Sequence, residues 1–288
     1  MTQQQLVRSC SFALLLVACS GSWAGQLSAQ TEGVAVSYSL ESPAVTMHEP
    51  VIVRVDVVNR STQPMTVRLG RDRKENFSFV IQPPDGSTQR RPPLPRREGA
   101  FALGNVSLGP GESLHHRLLL NEWATLSTPG VYELEVRLLT PIEMSSGTKV
   151  GSKPYHTSFK VLPRDEAQLS AACARLVQQI ESTDSAREAM DAAAALGYIE
   201  DPVAVPYLER ALRSSKPIYG PITDGLAKVG SESAARILIA AVRESPAWPP
   251  NVDTMPGSRA IFARRALQMI AASTSNEHLR QDIQRTIP

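Results

Sequence analysis

The stretch "ALGYIEDPVAVPYLERAL", Ala195–Leu212, decides how the C-terminal part of this chain is read. It is rich in helix formers, yet Pro202 and Pro206 interrupt it. A proline inside a helix removes a backbone donor and clashes with the preceding turn, so one continuous helix is excluded. Displaced by 30 residues, Leu196, Ile199, Ala204, Leu208, Ala211 and Leu212 fall on Leu226, Val229, Ala234, Leu238, Ala241 and Val242. Displaced by a further 41, Leu226, Val229, Leu238 and Val242 fall on Leu267, Ile270, Leu279 and Ile283. The chain therefore repeats one helix–turn–helix unit three times, with extra length in "SPAWPPNVDTMPG" (245–257). Asp201-Pro202 becomes the turn between paired helices. Asp accepts backbone donors at a helix start, and Pro fits where no helical bond is missed. Pro206 falls in the first turn of the second helix, whose amides have little intrahelical bonding to lose. "SARE" (Ser185–Glu188) reads as a capping box that opens the first unit.

Upstream the period changes. In "PVIVRVDVVN", Val51, Val53, Val55 and Val57 share one face while Arg54 and Asp56 take the other, which marks a half-buried strand. Similar segments lie at 33–41, 65–69, 77–82, 102–108, 113–120, 131–139 and 155–162. They are separated by turn residues such as "PPDG", "LGPGE" and "STPG". About eight short strands at this spacing predict a β-sandwich over 32–163. From 166 to 288 every apolar pattern is helical, so the domain boundary is expected near Pro163. The predicted fold class is multidomain, all-β followed by all-α. A length of 288 residues accommodates two domains.

Three resemblances extend this reading. The pattern of Ala195–Leu212 resembles HEAT-like repeats of bacterial proteins; the likeness weakens in the second unit, where "GSESAARIL" lacks the Asp-Pro, and is apolar spacing alone in the third. It implies a short α-solenoid with a binding face. "LSTPGVYEL" (126–134) resembles the tyrosine corner of immunoglobulin-like domains, which implies that the Tyr132 hydroxyl returns to backbone a few residues upstream. Residues 36–139 also resemble the sandwich of bacterial proteinase-inhibitor-like domains.

The N-terminus reads as a targeting segment. A polar start with Arg8 precedes the apolar run "FALLLVA" (12–18), too short to span a bilayer. "LVAC" (16–19) resembles the bacterial lipobox, which implies a signal peptide over 1–18 and lipidation of Cys19, with a linker over 19–31. Cleavage by ordinary signal peptidase after Ala24 or Ala29 is the alternative. The expected location is periplasmic or cell-surface: membrane-anchored through Cys19, or soluble and secreted under the alternative cleavage. With Cys10 removed, no internal disulfide framework is possible, and Cys173 is expected as a buried small hydrophobe.

The formal charge of +2 is too balanced to argue for a nucleic-acid partner. The chain carries no G-x-S-x-G, H-E-x-x-H, Walker or G-x-G-x-x-G motif. "SGTK" (146–149) satisfies S-x-x-K but sits in a loop-like context without companion motifs. His115 and His116 are adjacent on a strand and point to opposite faces, which disfavours a shared metal. Neither a catalytic site nor a cofactor or metal site is expected. The candidate partner contacts are Arg90, Arg91, Arg96 and Arg97 in "RRPPLPRR", and Trp248 in the long loop. The arginine arm would dock on an anionic partner, lipid headgroups or a protease cleft; as a plain surface loop its charges would prevent edge pairing. Trp248 would anchor a partner if exposed, or close over the helices if buried. The expected function is non-catalytic protein binding through the helical face, with an unknown protein partner and a lipid anchor. The alternatives are a proteinase inhibitor acting through a sandwich loop and a hydrolase with an unrecognised site.

Overall fold

The structure, a computed structural model, describes residues 29–31, 33–69, 76–87, 104–244 and 259–287. Among the described residues, twelve strands come first: β1 (Ala29–Thr31), β2 (Val34–Leu40), β3 (Ala44–Thr46), β4 (Ile52–Asn59), β5 (Met65–Arg68), β6 (Phe77–Gln82), β7 (Asn105–Leu108), β8 (Ser113–Leu119), β9 (Gly130–Leu138), β10 (Ile142–Met144), β11 (Lys149–Val150) and β12 (Tyr155–Leu162). They form three four-stranded sheets, ordered β1-β2-β4-β8, β11-β10-β5-β7 and β3-β12-β9-β6. The alternation read from the sequence holds: Val51, Val53, Val55 and Val57 are buried, while Arg54 is exposed. All three sheets contribute to one apolar cluster that includes Tyr38, Val53, Met65, Leu118, Leu134 and Phe159. β1, β3, β10 and β11 were not legible, because two or three residues cannot display a period. β1 lies within the expected 19–31 linker and pairs with the start of β2. Ser146–Thr148 of the S-x-x-K stretch lie in the turn between β10 and β11, and its Lys149 begins β11.

Tyr132 closes a local loop as expected. Its hydroxyl donates to the Thr128 carbonyl at 2.9 Å, and the Thr128 amide approaches the same oxygen at 3.3 Å. The ring stacks on Phe159 across the β9–β12 pair, with centroids 5.3 Å apart.

Among the described residues, seven α-helices follow: α1 (Glu166–Ser182), α2 (Ala186–Gly197), α3 (Val205–Leu212), α4 (Tyr219–Val229), α5 (Glu232–Arg243), α6 (Arg259–Ser273) and α7 (Glu277–Thr286). α2–α3, α4–α5 and α6–α7 are the three repeats; α1 precedes them. The residues related by the repeat are buried together: Leu196, Leu226 and Leu267 at the same position, and Leu208, Leu238 and Leu279 at another.

The prolines do what the opening stretch required. Asp201 accepts the Val203 amide at 3.0 Å and caps a short 3-10 turn over Pro202–Ala204. Pro206 stands in the first turn of α3. The same reversal is made differently in the next unit. Gly230, at φ 62°, ends α4 in the left-handed region, and Ser231 caps α5 by accepting the Ala234 amide at 3.2 Å. In the third, Asn276 caps α7. The capping box at Ser185 is half made: Ser185 Oγ accepts the Glu188 amide, but the Glu188 carboxylate takes the Thr183 hydroxyl instead of the Ser185 amide.

Small residues set the spacing of the stack. α2 buries Ala189, Ala192, Ala193, Ala194 and Ala195. Where it meets α4, Gly197 lies against Gly225; a methyl on Gly225 would come within 2.7 Å of the Gly197 Cα, and one on Gly197 would collide with the Pro221 carbonyl. Both obstacles are backbone, so neither can swing aside. Gly197→Ala and Gly225→Ala should each destabilise the fold by about 1–3 kcal/mol, read as a lowered urea midpoint; an unchanged midpoint would show that the two helices can separate without cost.

Candidate functional site

The β-part and the helices meet along the outer face of the β2–β4–β8 sheet. Ile52 on β4 and Leu119 on β8 leave the sheet core and join the apolar cluster of the helices. Polar contacts lock the junction. The buried Thr46 hydroxyl donates to the Pro163 carbonyl at 2.7 Å and accepts the Asp165 amide at 2.8 Å. Glu49, also buried, accepts the Thr46 amide at 3.0 Å and Gln168 of α1 at 2.8 Å, with Arg175 at 3.5 Å.

Asp201 has a second task here. Arg164, in the connection between β12 and α1, donates to it through Nε at 2.6 Å and Nη2 at 3.0 Å. The Arg164 bonds hold the Asp201 carboxyl below its ordinary value; burial opposes this, and the Val203 amide assists it. The same pairing raises the Arg164 guanidinium.

Between the sheet face and α1 lies a cleft of about 540 Å³. Val45, Ile52, Ala172 and Leu176 give it apolar walls, and Glu41, Arg54, Arg117 and Arg175 give it charge. Glu41 accepts Arg54 Nε at 2.9 Å, and Arg117 through Nε at 2.7 Å and Nη2 at 2.9 Å. Burial works to raise the Glu41 carboxyl, but the Arg117 and Arg54 hydrogen bonds outweigh it and the value falls below the usual range. One rung along the same strands, His115 stands opposite Asp56. His115 Nδ1 lies 2.6 Å from Asp56 Oδ1, and its Nε2 lies 2.9 Å from Ser113 Oγ. His116 points the other way and is buried, with Arg187 of α2 at its Nδ1. The opposite orientation of the two histidines follows the strand alternation. The pairing of Asp56 with His115 was not legible, because it depends on the register between strands far apart in sequence.

Burial pushes the Cys173 thiol up to about 12, in keeping with its place as a small core residue. Cys19, Arg90, Arg91, Arg96, Arg97 and Trp248 lie outside the described residues. Among the described residues, no group of three or more His, Cys, Asp or Glu could hold a metal ion, and no helix is long and apolar enough to cross a membrane. Instead, α6 exposes Ile261 and Met269 by 48% and 45%, two turns apart with the exposed Arg265 between them. Sequence reasoning passed over them, because helical spacing alone does not say which apolar face is covered.

Within the helical part, residues 189–214 match the PBS lyase HEAT-like repeat. The match spans α2, the capped turn and α3, and so coincides with the stretch in which the repeat is clearest. No curated protein matches the chain significantly. Among solved structures, the putative ApaA protein from Bordetella pertussis is 15% identical with a TM-score of 0.28, covering 46% of this chain and 94% of its own. The sporulation control protein Spo0M from Bacillus subtilis is 17% identical with a TM-score of 0.25, covering 51% of this chain and 55% of its own. Likenesses at this level carry no functional argument.

Asp201→Asn should cost about 1–3 kcal/mol at neutral pH, since it removes charge-assisted bonds at a buried position. The native carboxyl is lowered, so its contribution is complete above the unfolded carboxylate value of about 3.9 and is lost as pH falls through the lower folded value. Urea midpoints of the two proteins should therefore converge below about pH 4; a gap that persists in acid would mean that the ion pair is not what Asp201 contributes.

Proposed function

We propose that this protein is an exported module that binds another protein through its helical repeats, held at a membrane by lipid on Cys19. The observation that carries the binding role is the repeat itself. Stacked helix pairs bury one face of each unit against its neighbours and leave lateral faces free, and solenoids use such surfaces for partners. The exposed Ile261 and Met269, on either side of the exposed Arg265, give α6 two apolar contacts suited to that use. The tyrosine corner at Tyr132 and the strand pattern support an immunoglobulin-like reading of the β-part, which would serve as the rigid mount. "LVAC", placed at the end of the only apolar run near the N-terminus, supports the anchor. Each methylene of a lipid chain buried in the bilayer adds about 0.8 kcal/mol, so several chains give firm retention.

Photo-crosslinkers placed at 261 and 269 in cells should capture one and the same protein, identified by mass spectrometry. Capture at the sheet position Val80, with none on α6, would move the binding role to the β-part. Cys19→Ala should release the protein from the membrane fraction; full retention of that variant would remove lipid as the tether.

A further inference from the structure

We propose that Ser113, His115 and Asp56 form a nucleophilic triad on the outer face of the β2–β4–β8 sheet, able to take the acyl group of a small carboxylic ester. This goes beyond the binding role and is independent of it. The connectivity is directional. An ionised Asp56 only accepts hydrogen bonds, so the 2.6 Å contact puts the proton of the neutral imidazole on His115 Nδ1. Nε2 is then the basic nitrogen, and the 2.9 Å contact makes the Ser113 hydroxyl its donor. Nucleophile, base and orienting carboxylate thus stand in series, the arrangement that activates a serine.

The backbone enforces it. Ser113 and His115 are two residues apart on β8 and so share a face, about 6.6–6.8 Å apart. Asp56 is the direct cross-strand neighbour of His115 on β4. Packing does not explain the set: Ser113 is exposed, and the His115 side chain is 70% exposed. The Arg187 guanidinium is held at the same strand by the His115 carbonyl, 3.4 Å away, and by the His116 ring. Ser113 is exposed, so the substrate class is a small, solvent-accessible ester.

In the first half-reaction Ser113 Oγ bonds to the carbonyl carbon and its proton passes to His115 Nε2. The bond to the alcohol oxygen breaks, and the leaving alcohol takes that proton. Ser113 then carries the acyl group as an ester. In the second half, His115 takes a proton from water, the water oxygen bonds to the acyl carbon, and Ser113 leaves with the proton as the free acid forms. Asp56 stays ionised throughout and holds the ring.

The test treats the full chain with a fluorophosphonate probe and with p-nitrophenyl acetate. A phosphonyl adduct on the Ser113 peptide is expected. Ester turnover should fall about 10²-fold or more in Ser113→Ala and His115→Ala. Asp56→Asn should lower kcat with KM little changed, and Asp56→Glu should restore part of it. The side chains lie on the surface, so unchanged thermal melting confirms that each variant folds. Absence of an adduct on Ser113, or equal turnover by Ser113→Ala, overturns the proposal and leaves the binding role as it stands.

Discussion

One buried carboxylate joins the two halves of this molecule. Asp201 caps the turn inside the first helix pair and, with its remaining lone pairs, receives the arginine that leaves the last strand. A capping aspartate at an exposed turn would need only its backbone donor. Buried as this one is, it needs a counter-charge as well, and Arg164 supplies that charge from the connecting segment. The direction of the first repeat is thereby tied to the end of the sheet. Thr46 and Glu49 tie α1 to the same edge. Because these bonds stand beside the shared apolar contacts of Ile52 and Leu119, the junction is a continuation of both cores.

Much of this was legible before any coordinates. Period-two valines placed β4, and apolar spacing placed the three helix pairs, because both signals extend over several repeats of their own period. Tyr132 was legible because its partner lies only four residues upstream. The second role of Asp201 was not, since Arg164 lies 37 residues away and nothing local requires it. The same holds for Asp56 and His115, 59 residues apart. Alternation tells which face a strand residue takes; it does not tell which residue of another strand lies opposite. The candidate site depends on register, so it was hidden in a sequence whose fold was not.

The three turns between paired helices show why the repeat fades along the chain. Asp-Pro, Gly-Ser and an Asn cap all reverse the backbone and satisfy the leading amides of the next helix. Physics asks for the reversal and for the satisfied donors, not for one residue. The buried positions are held more tightly, because their side chains must interlock with the neighbouring pair. Hence the apolar spacing survives into α6 and α7 while the turn signature does not.

A stack of three helix pairs has two ends, and an open end would present an apolar face to water. Here the first end is closed by α1 and the sheet, with Ile52 and Leu119 reaching across. At the other, α7 buries Leu279 and Ile283 and otherwise carries Glu277, His278, Arg280, Gln281, Asp282, Gln284 and Arg285. On one flank Ile261 and Met269 of α6 stay exposed, with Arg265 between them. The helix stack thus meets the sheet at one end, with the direction of its first pair tied to the last strand at Asp201.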